Sequence, residues 1–145
     1  MLCDTHGFPV SFLLTPGQTS DSSQFISVLE SVRLPWISGR PLKRCRFVVA
    51  DKGYDSQSLR HYCSSKGVRP IIPYRRMRRT PRPGLPYQFD KPRYRQRNAV
   101  ERLFGWLKEK RRINSRFDKL ASSFNAMVTL ACIGRCMRAD FSDRT

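Results

Sequence analysis

The sequence predicts a mixed α/β fold with helices laid on a sheet, and three observations carry that expectation. Short β-branched or apolar runs such as "RFVVAD" and "VRPIIPY" alternate with polar-capped stretches at helical spacing such as "DSQSLRHYCSSKG". Hydrophobic residues make up 39% of the 145 positions, enough for a sizeable core in a chain of one-domain length. No internal repeat breaks the alternation, and no apolar run approaches the roughly 20 residues needed to span a bilayer.

The elements follow in order. "MLCDTHGFPVSFLLTPG" is two apolar runs joined by the turn-rich "DTHG", hence a hairpin whose second strand runs from about Val10 to Leu14. In "TSDSSQFISVLESV" the Ser and Asp caps precede Phe25, Val28, Leu29 and Val32 at helical spacing, so a helix starts near Asp21 or Ser22. "PWISGRP" interrupts the chain. The run Phe47 to Ala50 is a buried strand that delivers Asp51 at its C-terminal end. "DSQSLRHYCSSKG" is a capped helix closed by Gly67, and "VRPIIPY" is a short strand kept to a sheet edge by Pro70 and Pro73.

From Tyr74 to Arg93 the chain carries four prolines and a dense arginine cluster without periodicity, which predicts a mobile basic loop. A helix then spans Tyr94 to Lys108, with Val100, Leu103, Phe104 and Leu107 as its apolar stripe. A last helix, roughly Ser123 to Met137, contains "FNAMVTLACIG", apolar on most sides and expected to be largely buried. Arg135 and Arg138 suit its C-terminal dipole.

Charge narrows the function. Against 28 Lys and Arg stand 11 Asp and Glu, a formal charge of +17 and a pI near 10.7, so a polyanionic partner is expected, with nucleic acid the first candidate. An acidic membrane surface is the rival, but nothing here predicts a membrane span. "MLCDTHGF" has no basic segment ahead of an apolar stretch, so a secretory signal is not expected and the chain reads as cytoplasmic and soluble. Five scattered cysteines without a CxxC pair argue against a disulfide framework or a zinc ribbon. Cys132 and Cys136, one helical turn apart, read as small buried hydrophobes, and His6 and His61 lack ligand spacing.

Two acids stand out. Glu101 is the single acid in "YRQRNAVERLFGWLK", where Tyr94, Arg97, Glu101 and Lys108 form a second stripe beside the apolar one. Its plain reading is an ion pair with Arg97 or Lys108. Asp51 ends a buried strand. In a protein that binds phosphodiesters, carboxylates among arginines weaken affinity unless they hold a cation, and Mg²⁺ takes one or two carboxylates plus phosphate oxygens. Two such ions about 4 Å apart can serve an in-line displacement at phosphorus.

The spacing of Tyr94, Arg97, Glu101 and Lys108 resembles the signature of insertion-sequence transposases of the IS4/IS5 type, in the DDE superfamily. "VVADKGYDS" looks like the block around that family's second catalytic aspartate, and "LTPGQTSD" and "RRINSRFDK" are similar to further family blocks. The resemblance covers essentially the whole chain. It implies a ribonuclease-H-like mixed sheet with flanking helices, a site for two divalent ions (Mg²⁺ or Mn²⁺), and cutting and rejoining of DNA at element ends and target. Carried over, Asp51 is the second metal-binding acid and Glu101 the third. By the same resemblance Tyr94, Arg97 and Lys108 would contact DNA phosphates or organise the site; the charge of the basic loop, separately, makes Arg75, Arg76, Arg78 and Arg79 expected contacts to the phosphate backbone.

The family also needs a first aspartate on the first strand of its core, and no residue of this chain matches it. Asp4 lies in the hairpin turn. Asp21 reads either as a plain helix cap or as a group supporting the Asp51 site. The family's N-terminal DNA-binding region has no match either, so the chain reads as the C-terminal part of one catalytic domain, residues 1–145, with the first strand missing. Alone it is expected to be inactive. An upstream N-terminal fragment and further copies of the chain are candidate partners. The competing class is a non-catalytic basic DNA-binding relic, or an inhibitor that competes for DNA ends. A ribosomal-type RNA binder would explain the charge but not the spaced motif.

Overall fold

The β-branched run "FVV" forms β3 (Phe47–Val49), which pairs in parallel with β4 (Arg69–Ile71) in the register Phe47↔Arg69, Val48↔Pro70 and Val49↔Ile71. Parallel strands need a long crossover. Here it is α2 (Gln57–Ser65), started by the Ser56 hydroxyl accepting from the Leu59 N–H at 3.2 Å and ended at Gly67, whose φ of +67° suits glycine. This computed structural model describes residues 1–33, 45–75 and 89–142. They fall into two compact units, Ser20–Arg97 and Met1–Thr19 together with Asn98–Thr145.

In the unit Ser20–Arg97, a 3₁₀ turn (Asp21–Gln24) leads into α1 (Phe25–Glu30). Phe25, Val28, Leu29 and Val32 are all buried, as their spacing predicts, and join Val48, Ala50, Leu59, Cys63, Val68, Ile71 and Ile72 in one core. Asp21 is not the cap. Ser20 holds that position and its side chain makes no capping bond, so the sequence signal for an aspartate cap falls one residue late. Pro70 lies within β4, where its missing N–H is tolerated because β4 pairs with one neighbour only among the described residues. The unit closes with α3 (Lys91–Tyr94), which Asp90 caps by accepting from the Arg93 N–H at 3.0 Å, and a 3₁₀ turn (Arg95–Arg97).

The other unit begins with the hairpin β1 (Leu2–Cys3) and β2 (Pro9–Ser11), so the second strand is shorter than expected and starts one residue earlier. Its turn is built by Asp4, whose Oδ1 accepts from the N–H groups of His6 (3.0 Å) and Phe8 (2.8 Å). Gly7 has a φ of +87°, and a Cβ there would meet the Ala99 carbonyl at 3.4 Å. Helix α4 (Asn98–Lys108) buries Ala99, Leu103 and Leu107. The buried stripe is therefore turned from the expected one: Val100 is half-buried and Phe104 is 45% exposed. The 3₁₀ turn at 95–97 breaks the helical phase, so Tyr94 does not share a continuous helix with Glu101.

Helix α5 (Arg111–Asn114) was not anticipated, and α6 (Ala121–Ser142) is longer than expected at both ends. It is also far less buried. Val128 and Cys132 are core residues, whereas Leu130 (61%), Ile133 (49%) and Met137 (52%) are exposed. With α6 running to Ser142, Arg135 is not at a helix end. It donates from Nε to the Gly7 carbonyl at 3.0 Å and lies 5.1 Å from the Trp106 ring, pinning the hairpin turn.

The α/β composition is as expected, but the ladders form two separate pairs, β1–β2 and β3–β4, rather than one mixed sheet among the described residues. The interruption "PWISGRP" and residues 76–88 of the basic segment, including Arg76, Arg78 and Arg79, lie outside the described residues. All five cysteines are free thiols; Cys63 and Cys132 are buried, while Cys136 is exposed rather than the buried hydrophobe expected. Among the described residues no helix is long and apolar enough to cross a membrane.

Candidate functional site

Asp51 stands two residues beyond β3, on extended backbone, as the cap of a 3₁₀ turn (Lys52–Tyr54). Its Oδ1 accepts from the Gly53 N–H at 2.6 Å. A Cβ on Gly53 would sit 2.8 Å from that oxygen, so a larger residue there would push the carboxylate off its present position. The side chain is exposed, and Oδ2 carries no hydrogen bond among the described residues. A buried strand thus delivers one fixed carboxylate with an open oxygen.

The turn is braced from behind. Asp55 Oδ1 accepts from Arg60 Nε at 2.9 Å and lies 2.8 Å from Nη2 of the same guanidinium as an ion pair, and Oδ2 accepts from the Arg75 backbone N–H at 2.8 Å. Burial would raise the Asp55 carboxyl, but the Arg75 N–H, the Arg60 hydrogen bond and both guanidinium charges outweigh it and hold it below the ordinary range. Arg60 also donates to the Ile72 carbonyl at 2.7 Å and covers the Tyr74 ring at 4.2 Å. The Arg75 guanidinium donates to the carbonyls of Lys52 (3.2 Å) and Gly53 (2.7 Å). The Arg75 contacts join positions 20 to 23 apart and leave no periodic trace in the sequence.

Tyr54 marks a second convergence. Its ring packs on Phe25 with centroids 5.6 Å apart. Burial, then the Asp21 charge, then the Asp51 charge push its phenol up. Asp21 and Asp51, thirty positions apart, therefore bear on one hydroxyl, which favours the reading of Asp21 as a neighbour of the Asp51 turn.

Of the spaced motif, Tyr94 and Arg97 lie in the same unit as Asp51. Arg97 stands 5.8 Å from the Tyr94 ring, whose edge packs on Phe89 at 5.0 Å. Glu101 and Lys108 lie in the other unit, on the first and last turns of α4, and both are exposed. Glu101 does not border the core as its stripe predicts, because the buried face is centred on Leu103 and Leu107. Asp4, the acid of the hairpin, is committed to its own turn. Among the described residues no three His, Cys, Asp or Glu side chains cluster as a metal site. The donors that are present, exposed carboxylate oxygens, are the type that suits a hard divalent cation.

Against known proteins, the family model described as "Transposase DDE domain" matches residues 1–133. A Burkholderia cepacia protein named as a transposase for insertion sequence element IS402 is 30% identical over 137 residues, which is 94% of this chain and 60% of that protein. One from Brucella ovis, named as a transposase for insertion sequence element IS6501, is 30% identical over 129 residues, 89% of this chain and 88% of that protein. The chain thus spans about 60% of the first relative's length and most of the second's. No solved structure matches.

Proposed function

From the premise that this chain belongs to the transposase DDE-domain family, we propose that it carries two of the three acids of a DNA strand-transfer site, Asp51 and Glu101, on a ribonuclease-H-like framework of the IS4/IS5 type. The observation that carries the reading is the Asp51 turn. An exposed carboxylate, fixed through one oxygen at the end of a strand and open at the other, sits inside the block "VVADKGYDS".

The residues then divide the work. Asp51 and Glu101 supply hard oxygen donors to a pair of Mg²⁺ or Mn²⁺ ions. When bound, such ions activate an attacking oxygen and stabilise a leaving one at phosphorus. Lys108, on the last turn of the helix that carries Glu101, offers a cation to the DNA backbone. Tyr94 and Arg97, held as a stacked pair, do the same on their own unit or orient the site. Arg76, Arg78 and Arg79 add phosphate contacts from the basic segment. No residue of these 145 matches the family's first acid, so cleavage requires an aspartate from outside them, and further copies of the chain are candidate partners in assembly.

Two measurements test this. DNA binding should weaken by orders of magnitude between about 50 and 200 mM salt if six or more phosphates are neutralised. A flat salt dependence would remove the phosphate assignments. With an upstream segment supplying the first aspartate, the chain should nick element-end DNA in Mg²⁺, and Asp51→Asn should not. Salt-sensitive binding without nicking in the supplemented mixture would favour the non-catalytic DNA-binding reading.

A further inference from the structure

We propose that Arg75 is a positioning residue for Asp51, anchored by Asp55 and acting through the Lys52–Gly53 peptide rather than through DNA. One peptide plane links the two residues. The Lys52 carbonyl and the Gly53 N–H belong to the same planar amide and point in opposite directions. Asp51 Oδ1 takes the N–H at 2.6 Å, and Arg75 Nε donates to the carbonyl at 3.2 Å. The plane is thus gripped at both edges. A cation at the carbonyl also polarises the amide, which strengthens its N–H as a donor to the carboxylate.

Arg75 Nη2 fixes the next plane as well, through the Gly53 carbonyl at 2.7 Å. The turn's own bonds are few: Tyr54 N–H to the Asp51 carbonyl at 3.1 Å and Asp55 N–H to the Lys52 carbonyl at 3.2 Å. Without Arg75 the carboxylate of Asp51 would rest on a three-residue turn with little else to hold it. Asp55 in turn fixes where Arg75 begins, since its Oδ2 holds the Arg75 backbone N–H while Arg60 occupies Oδ1. Arg60 reaches the Ile72 carbonyl, which ties the assembly to the residue after β4. With Nε and Nη2 committed to carbonyls, Arg75 leaves the set of arginines assigned to phosphate.

The consequence for chemistry rests on the reading of Asp51 as a metal ligand; the positioning itself does not. The test uses ¹⁵N-labelled full chain, the variants Arg75→Gln, Arg75→Lys and Asp55→Asn, and hydrogen exchange at individual amides. In Arg75→Gln the Gly53 amide should exchange about tenfold faster, the factor for one lost hydrogen bond, while the capped Leu59 amide of α2 keeps its protection. Arg75→Lys should recover part of the loss, because an ammonium can reach one carbonyl. Asp55→Asn should move Gly53 in the same direction by less, and it decides the matter if Arg75→Gln does not fold. Unchanged Gly53 exchange in the folded variants overturns the proposal. So does a DNA-binding salt slope in Arg75→Gln lowered by about 0.9, the signature of a lost phosphate contact. Mn²⁺ broadening of the parent's Gly53 resonance is the separate check on Asp51 as a ligand: its absence would sink that reading and leave the exchange result to decide Arg75.

Discussion

The turn that carries Asp51 and the helix that carries Glu101 hold their acids by unlike means. Around Asp51 the support is polar and specific. Gly53, Asp55, Arg60 and Arg75 each make a bond that no neighbour duplicates. Glu101 instead stands on regular helix, placed by a buried stripe on the far side of α4 and by the hairpin turn that Arg135 pins nearby. A polar brace fails at single atoms, whereas a packed stripe fails by volume. The acids should therefore respond to different substitutions, one support failing where the other holds.

The largest effect is expected from the stripe. Leu103 is fully buried, so Leu103→Ala should lower stability by about 2–5 kcal/mol. Urea unfolding followed by tryptophan fluorescence would read it. Phe104→Ala, one position along and 45% exposed, should cost much less. Equal losses would restore the stripe that simple periodicity expects and undo the rotation described for α4.

That rotation shows what the sequence could and could not reveal. The β3 strand, the Ser56 cap, the Gly67 stop and the buried face of α1 were all legible, because each depends on residues within one turn or one strand of each other. The α4 stripe was misjudged because Ala99, a small residue, was left out of it: Ala99, Leu103 and Leu107, four positions apart, form the buried face and turn Phe104 to solvent. Helix α6 was expected to be buried because its composition is apolar, but burial requires a neighbour, and Leu130, Ile133 and Met137 have solvent beside them. Of the candidate site, the placement of Asp51 just past a strand was legible from the β-branched run and the Gly turn after it. The bracing contacts of Arg75 were not legible, since a guanidinium donating to carbonyls 22 and 23 positions away looks like any other basic residue until the chain is folded.

A smaller effect is expected at Gly53. Gly53→Ala places a methyl carbon 2.8 Å from the Asp51 carboxylate oxygen, closer than the two can stay, so the carboxylate should shift and its bond to the Gly53 N–H weaken. Loss of a cap of this kind costs about 0.5–2 kcal/mol. The Asp51 carboxyl resonance should shift, while the α4 amides stay unchanged. A crystal structure of the variant with the Asp51–Gly53 bond intact would show that the brace, not the glycine, sets the carboxylate.

Acid separates the supports again. The folded-state pKa of Asp55 is depressed, so its contribution is complete above the ordinary aspartate value of about 3.9 and is lost as pH falls through the lower folded value. The turn should therefore persist at pH 4 and loosen only below it. Carboxyl titration by ¹³C resonance should give Asp55 a midpoint below that ordinary aspartate value. A midpoint at or above that value would mean that burial outweighs the two arginines.

The smallest effect on stability should come from Glu101 itself, and its smallness is what makes it useful. Glu101→Gln keeps the shape and most of the hydrogen-bonding capacity of an exposed side chain while removing its charge. Whatever partner the carboxylate has at such a position contributes only about 0–1 kcal/mol, so the melting temperature should barely move. Nicking in the supplemented mixture should nevertheless disappear, because an amide is a far weaker ligand for a hard cation than a carboxylate. Loss of activity with stability unchanged is the mark of an acid kept for chemistry. If the variant melts well below the parent and still nicks DNA, Glu101 is a structural ion-pair partner, and the stripe of α4 positions a salt bridge rather than a ligand.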